Sequence, residues 1–152
     1  MAEDMARAHR LTRRQHATET SEDYVEAIAV IQEETGTARV TDLAQRLGVA
    51  HPTVIQKVKR LVREGLVATA PYRALELTKS GAALARASRR RHALVKDFLL
   101  ALGVPSVAAE VDAEGIEHHA GPETLAAMER YLRTRTATAQ PATARRRRDT
   151  GG

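Results

Sequence analysis

Val40-Thr-Asp-Leu-Ala-Gln-Arg-Leu-Gly-Val49, followed at once by Ala50-His-Pro-Thr-Val-Ile-Gln-Lys-Val-Lys-Arg-Leu-Val-Arg63, is the stretch whose reading decides the fold. In its first half Thr41 is suited to cap a short helix, Leu43, Ala44 and Leu47 face inward, and Gly48 supplies a left-handed turn residue. Pro52 fits the first turn of a second helix, in which Val54, Ile55, Val58, Leu61 and Val62 gather on one side at helical spacing. The opposite side carries Thr53, Gln56, Arg60 and Arg63, with Lys57 and Lys59 at its edges. Two short helices joined by a Gly turn, the second exposing polar and basic groups, have helix-turn-helix geometry. On that reading Gln can pair bidentately with adenine, Arg with guanine, and Thr offers a hydroxyl or methyl contact. The expected DNA-facing set is His51, Thr53, Gln56, Lys57, Lys59 and Arg60. An ordinary amphipathic helix with a solvated charged face is the alternative.

Working outward, Leu66-Val-Ala-Thr69 and Leu75-Glu-Leu-Thr78 carry strand formers around a Pro71-Tyr-Arg-Ala74 turn. A hairpin directly after a recognition helix is a wing, and Arg73 at its tip is placed to enter a minor groove or touch phosphate. On the other side, Thr20 or Ser21 caps a helix ending at Gly36, with Tyr24, Ile28 and Ile31 as its core stripe. Asp23 and Glu26 sit three apart in its first turn, where acids commonly complement the helix dipole.

Charge distribution agrees with a nucleic-acid partner. The chain has 152 residues and a formal net charge of +5. Residues 1–20 hold four Arg against three acids, and 134–152 hold five Arg against one, so the body between them is neutral. Within that body, His51 to Gly65 carries Lys57, Lys59, Arg60 and Arg63 against Glu64 alone, a local basic stripe suited to an oriented contact. Cysteine is absent, which removes disulfides and thiolate ligands. No apolar run reaches bilayer length and no signal-peptide pattern opens the chain, so no membrane partner and a cytoplasmic location are expected.

The remainder reads as helical. Lys79 to Leu102 forms one long helix, capped by Thr78, with Leu84, Val95, Phe98 and Leu102 as its apolar stripe. Arg89-Arg-Arg91 is phosphate-directed or simply solvated, and His92 stands alone at the stripe's edge. Ser106 begins a helix containing Asp112-Ala-Glu-Gly-Ile-Glu-His-His119, and a further helix spans Glu123 to Leu132. Glu114, Glu117 and His118, three and four apart, share one helix face. Two carboxylates and an imidazole within one turn repel and desolvate one another unless a cation sits among them. A solvated acidic face that happens to hold histidines is the competing reading. The fold class expected is mainly α with a small β-hairpin wing, a winged helix-turn-helix followed by an all-α dimerisation domain. Its divisions are an arm at 1–20, a DNA-binding unit at 21–78, a helical unit at 79–133 and a disordered Arg-rich tail at 134–152.

The ordered set Ser21-Glu-Asp-Tyr-Val-Glu26, Leu43-Ala-Gln-Arg-Leu-Gly-Val-Ala-His-Pro-Thr-Val54, Tyr72-Arg-Ala-Leu-Glu-Leu-Thr78, Arg91-His92 and Glu114-Gly-Ile-Glu-His-His119 resembles the diphtheria-toxin-repressor family. Within it the chain looks most like the manganese transport regulators. The resemblance covers about residues 20–133 and neither tail. It implies a metal site formed by Asp23, Glu26, His92, Glu114, Glu117 and His118, with Glu26 and Glu117 bridging two ions per subunit. His119 is not counted among the ligands. Iron-sensing relatives carry methionine and cysteine where Asp23 and Glu114 stand, and many have a third, SH3-like domain, which is not expected here. A hydroxyl residue that caps the recognition helix in many relatives has no counterpart at Ala50, which leaves base reading less defined.

The expected activity is that of a manganese-responsive repressor of metal-uptake genes. It would be a homodimer on a pseudo-palindromic double-stranded operator, activated by Mn(II), with Fe(II) or other divalent metals as possible effectors. The oxygen and imidazole donor set suits Mn(II). Alternatives are an iron-responsive member of the same family, a winged-helix repressor of an organic ligand, and a binuclear phosphoesterase. The last lacks a separate general base and a Gly-rich phosphate loop, so no enzymatic activity is expected.

Overall fold

The computed structural model describes residues 21–69, 72 and 74–139, with side chains through residue 136. The expected contact at Arg73, the arm at 1–20 and the tail beyond residue 139 lie outside these. Helix α1 spans residues 21–35 and breaks at Gly36, whose φ of 83° is left-handed. It is followed by β1 (Ala38–Arg39), α2 (Val40–Leu47), α3 (His51–Arg63), β2 (Val67–Thr69), β3 (Ala74–Leu77), α4 (Lys79–Ala101), α5 (Ser106–His119) and α6 (Pro122–Ala139). This is the winged helix-turn-helix followed by helices that the sequence predicts.

The α1 stripe is buried as its spacing requires: Tyr24, Val25, Ile28 and Ile31 pack with Leu43, Val54, Val58, Leu61, Val67 and Leu75 in one core. Gly48 turns α2 into α3 with φ 65°, a conformation a β-carbon would strain. The hairpin pairs Val67 with Leu77 and Thr69 with Leu75, antiparallel. Two details differ from expectation. A third strand, β1, pairs with β3 through Ala38–Leu75 and Arg39–Ala74, giving the order β1-β3-β2. That pairing brings the chain into α2 two residues early, so Arg39 rather than Thr41 is the N-cap. Its backbone N–H donates to the Asp42 side chain at 2.8 Å, the half of a capping box that an acid at the third helical position supplies. Val62 is also misplaced in the sequence reading; it is exposed.

Helix α4 begins where Thr78 Oγ1 accepts from the Gly81 N–H at 3.1 Å. Gly81 lies against the backbone of Leu66, and a β-carbon there would overlap the Leu66 carbonyl oxygen. Gly81, Ala85, Ser88 and Val95 are the buried residues of α4, at helical spacing, and half-buried His92 continues that stripe between Ser88 and Val95. Leu102, expected in the apolar stripe, is exposed instead. On α5 the buried residues are Ala109, Ala113 and Glu117, each four apart. Small residues let α5 approach α4 closely, and the same periodicity carries Glu117 into the interface. Helix α6 closes the unit with an edge-to-face contact between Phe98 and Tyr131, centroids 5.4 Å apart. It runs to Ala139, past residue 134 where a disordered tail was expected. Arg135 donates to the Ala101 carbonyl at 2.8 Å, and the Thr134 and Thr136 hydroxyls donate back to carbonyls of their own helix.

Candidate metal centre and nucleic-acid face

Three helices meet where the two stripes of α4 and α5 reach the start of α1. The packing of α5 points Glu114, Glu117 and His118 toward His92 of α4 and Asp23 of α1. Among the described residues two triads have donor atoms within 4.8 Å of one another: Asp23, Glu114 and His118, and His92, Glu114 and Glu117. Glu114 belongs to both. His118 Nε2 lies 3.3 Å from Asp23 Oδ1 and 3.9 Å from Glu117 Oε1. His92 Nδ1 lies 3.2 Å from Glu114 Oε2 and 3.5 Å from Glu117 Oε1. Five of the six candidate ligands therefore converge. The sixth, Glu26, is outside both triads; its Oε2 accepts from the buried Ser88 hydroxyl at 3.0 Å.

Electrostatics mark the centre as incomplete by itself. Glu117 is 2% exposed, and its Oε2 is buried with no hydrogen-bond partner. Burial pushes its carboxyl up to about 7, against the opposing pull of His118, Arg91 and His92. Burial works to depress the His92 imidazole, but the Glu110 hydrogen bond and the charges of Glu114 and Glu117 outweigh it and leave it raised. A buried carboxylate with an unsatisfied oxygen, surrounded by oxygen and imidazole donors, fits a hard divalent cation.

Four neighbours were not assigned to the cluster from the sequence. Glu22 is buried, and its Oε2 meets Arg91 Nη2 at 2.6 Å and His118 Nδ1 at 2.8 Å. Arg91 also reaches Glu117 Oε2 at 3.8 Å. Glu110 accepts from His92 Nε2 at 2.9 Å and pairs with Lys96. Two positions of the Arg89–Arg91 run are thus engaged by acids of α1, since Arg89 also pairs with Glu33 at 2.9 Å. The repeating contact of α1 acids with α4 is legible afterwards in Glu22, Glu26 and Glu33. No signal in the sequence alone identifies which residues of α4 face them.

On α3, His51, Thr53, Gln56 and Lys59 are exposed, as a DNA-reading face requires, whereas Lys57 and Arg60 are partly covered. Arg60 is engaged by Glu64 four residues on, at 2.6 Å, an exposed pair. His51 and Lys59, with Arg39, rim a groove of about 620 Å³ over Ile55 and Leu75 between α3 and the hairpin.

Residues 16–75 match the family described as "Iron dependent repressor, N-terminal DNA binding domain", and residues 78–139 match its "metal binding and dimerisation domain". The transcriptional regulator MntR of Escherichia coli O157:H7 is 46% identical over 123 residues, covering 81% of this chain and 79% of the relative. The HTH-type transcriptional regulator MntR of Bacillus subtilis strain 168 is 38% identical over 102 residues, covering 67% and 72%. Among solved structures, the manganese regulator SloR superposes with a TM-score of 0.65 at 27% identity, covering 74% of this chain and 53% of that one. A manganese-dependent transcriptional repressor in complex with manganese gives 0.66 at 32% identity, covering 74% and 52%. The chain thus spans about half the length of these solved relatives. With both family regions matched in order, and with the acid–imidazole cluster lying where the two meet, the chain belongs to the iron-dependent repressor family.

Proposed function

We propose that this chain is a manganese-responsive, DNA-binding transcriptional repressor rather than an enzyme. The observation that carries the reading is that one oxygen–imidazole cluster draws ligands from α1, which is packed into the DNA-reading unit, and from α4 and α5 of the helical unit. Regulators named MntR among the relatives, and manganese regulators among the structural neighbours, support Mn(II) as effector.

Asp23, Glu114 and His118 would hold one ion, and His92, Glu114 and Glu117 a second. Glu26, which accepts from Ser88 beside them, would be the sixth ligand, and the two triads would take two ions per subunit. A bound divalent cation supplies positive charge and directional bonds to these donors. Without it, Asp23 of α1 faces Glu114 of α5, Glu114 lies beside Glu117, and like charges disfavour close approach. Arg91 and the two histidines offset this only in part, because Glu117 Oε2 keeps no hydrogen bond. When the donors share a partner, α1 is held against α5 and the orientation of α3 is fixed relative to the helical unit.

In a homodimer this sets the separation of two recognition helices at roughly 34 Å, one turn of DNA, as a pseudo-palindromic operator demands. His51, Thr53, Gln56, Lys57, Lys59 and Arg60 would meet the duplex, with Arg73 at the wing. The working divisions are residues 21–78 for DNA and 79–139 for metal and dimerisation. A coupling of about 1–3 kcal/mol changes DNA affinity by roughly 5–150-fold, and DNA must tighten metal binding by the same factor.

DNA binding measured across a panel of divalent ions is the test. Mn(II) should raise affinity for a specific site. Affinity indifferent to every metal would refute the proposal.

A further inference from the structure

Both histidines of the cluster are gripped on the ring nitrogen that faces away from the other ligands. His118 points Nε2 at Asp23 while Nδ1 meets Glu22, which is held by Arg91. His92 has the opposite arrangement: Nδ1 points at Glu114 and Glu117 while Nε2 meets Glu110, which is held by Lys96. Glu110 lies outside both ligand triads, and its side chain is 53% exposed. An imidazole donates from one nitrogen and binds a cation through the other, so an acceptor on one side selects the nitrogen offered on the other.

We propose that Glu110 is a positioning residue of the metal centre, acting through His92. By accepting the Nε2 proton it keeps Nδ1 unprotonated and aimed at Glu114 and Glu117, and Lys96 keeps Glu110 in place. His92 and Lys96 are one turn apart on α4, and Glu110 lies on α5, so the same contact sets how the two helices align beside the cluster. The Glu22–Arg91 pair on His118 is an independent instance of the device in the same fold. The inference rests on the metal reading given above and deepens it: the nitrogen each histidine presents is built into the apo protein.

The full-length protein carrying Glu110→Ala or Glu110→Gln tests it, with Asp112→Asn as a control that removes an exposed acid from the same helix. Two quantities are read. One is the tautomer of His92 by long-range nitrogen–proton NMR in metal-free protein, at about two pH units above the ordinary imidazole value. The other is Mn(II) affinity by titration. Wild type should show His92 protonated on Nε2 and His118 on Nδ1. Glu110→Ala should mix the His92 tautomers and weaken Mn(II) binding by about 10–100-fold, the usual effect of losing such a partner. Glu110→Gln, whose carbonyl still accepts, should keep the tautomer and recover part of the affinity. Wild-type tautomer in Glu110→Ala overturns the proposal, as does a loss of affinity no larger than that of Asp112→Asn. A wild type that binds no Mn(II) but shows the Glu110-dependent tautomer instead overturns the metal reading, so the two failures are distinguishable.

Discussion

Among the carboxylates at the junction of α1, α4 and α5, Glu117 differs because helix periodicity buries it without giving both oxygens a partner. Its carboxyl, pushed up to about 7, retains a proton in the folded state over a range where an unfolded chain has lost it. That group's contribution to stability is therefore present on the acid side and is lost as pH rises through about 7. Cation binding needs the carboxylate, so Mn(II) affinity should fall by up to about tenfold per pH unit below 7 on account of this group alone. Calorimetry in buffers of different ionisation enthalpy reads the released proton directly. Above pH 7, where wild type carries the buried charge, Glu117→Gln should leave the metal-free protein as stable as wild type or more so. The same variant should lose the Mn(II)-induced rise in Tm; a full rise would remove Glu117 from the ligand set. At this scale the helical spacing of Glu114, Glu117 and His118 is visible in the sequence. The ties from Glu22 to His118 and from Glu110 to His92 are not, because each joins different helices brought together by packing.

Elements were legible where periodicity was long and hidden where it was short. The α1 and α3 stripes announce themselves, but a two-residue strand such as β1 has too few positions to alternate, and its pairing with β3 depends on the hairpin being formed first. Gly81 is a further case: nothing local distinguishes it from the alanines beside it. Yet the Leu66 carbonyl that it abuts also accepts the Thr78 N–H at 3.1 Å, so this corner joins α3, the wing and α4. Gly81→Ala should cost about 1–3 kcal/mol in urea unfolding through overpacking against rigid backbone. It should also shrink the Mn(II)-driven gain in DNA affinity while Mn(II) binding persists; wild-type stability would mean that α4 simply shifts. On α3, Gln56 and Lys59 are both exposed, and on the proposed reading they would make two kinds of contact. Gln56→Ala should relax base preference, at about 1–3 kcal/mol for the favoured site, whereas Lys59→Ala should weaken all sequences and lower the salt slope by about one. A changed base preference in Lys59→Ala would show that α3 meets the groove through a different face.

For the whole molecule the question is whether metal assembles the dimer or orders one already formed. Leu102, Val107 and Val111 are 55%, 79% and 68% exposed, and Leu100 is uncovered beside them. These side chains would sit in a core if a partner covered them. They occupy the end of α4 and the first turns of α5. The candidate ligands Glu114, Glu117 and His118 lie in the last turns of α5, where α1 covers the helix. Glu114 is about 10 Å along the axis from Val107 and about 4.5 Å from Val111, so the apolar face borders the charged cluster on one rigid helix but leaves out its buried members Glu117 and His118. Dimerisation driven by the first has no reason to wait for a cation at the second. Sedimentation should therefore give a dimer with and without Mn(II), and Glu117→Ala should remain a dimer that binds DNA only non-specifically at any Mn(II) level. Val107→Asp combined with Val111→Asp should yield a monomer that still binds Mn(II) but has lost its specific DNA affinity, because two half-sites can no longer be read together. A wild-type monomer that pairs only after metal is added would refute this division of labour, since it would require the α1–α5 contact to shape the dimer face across those turns of helix.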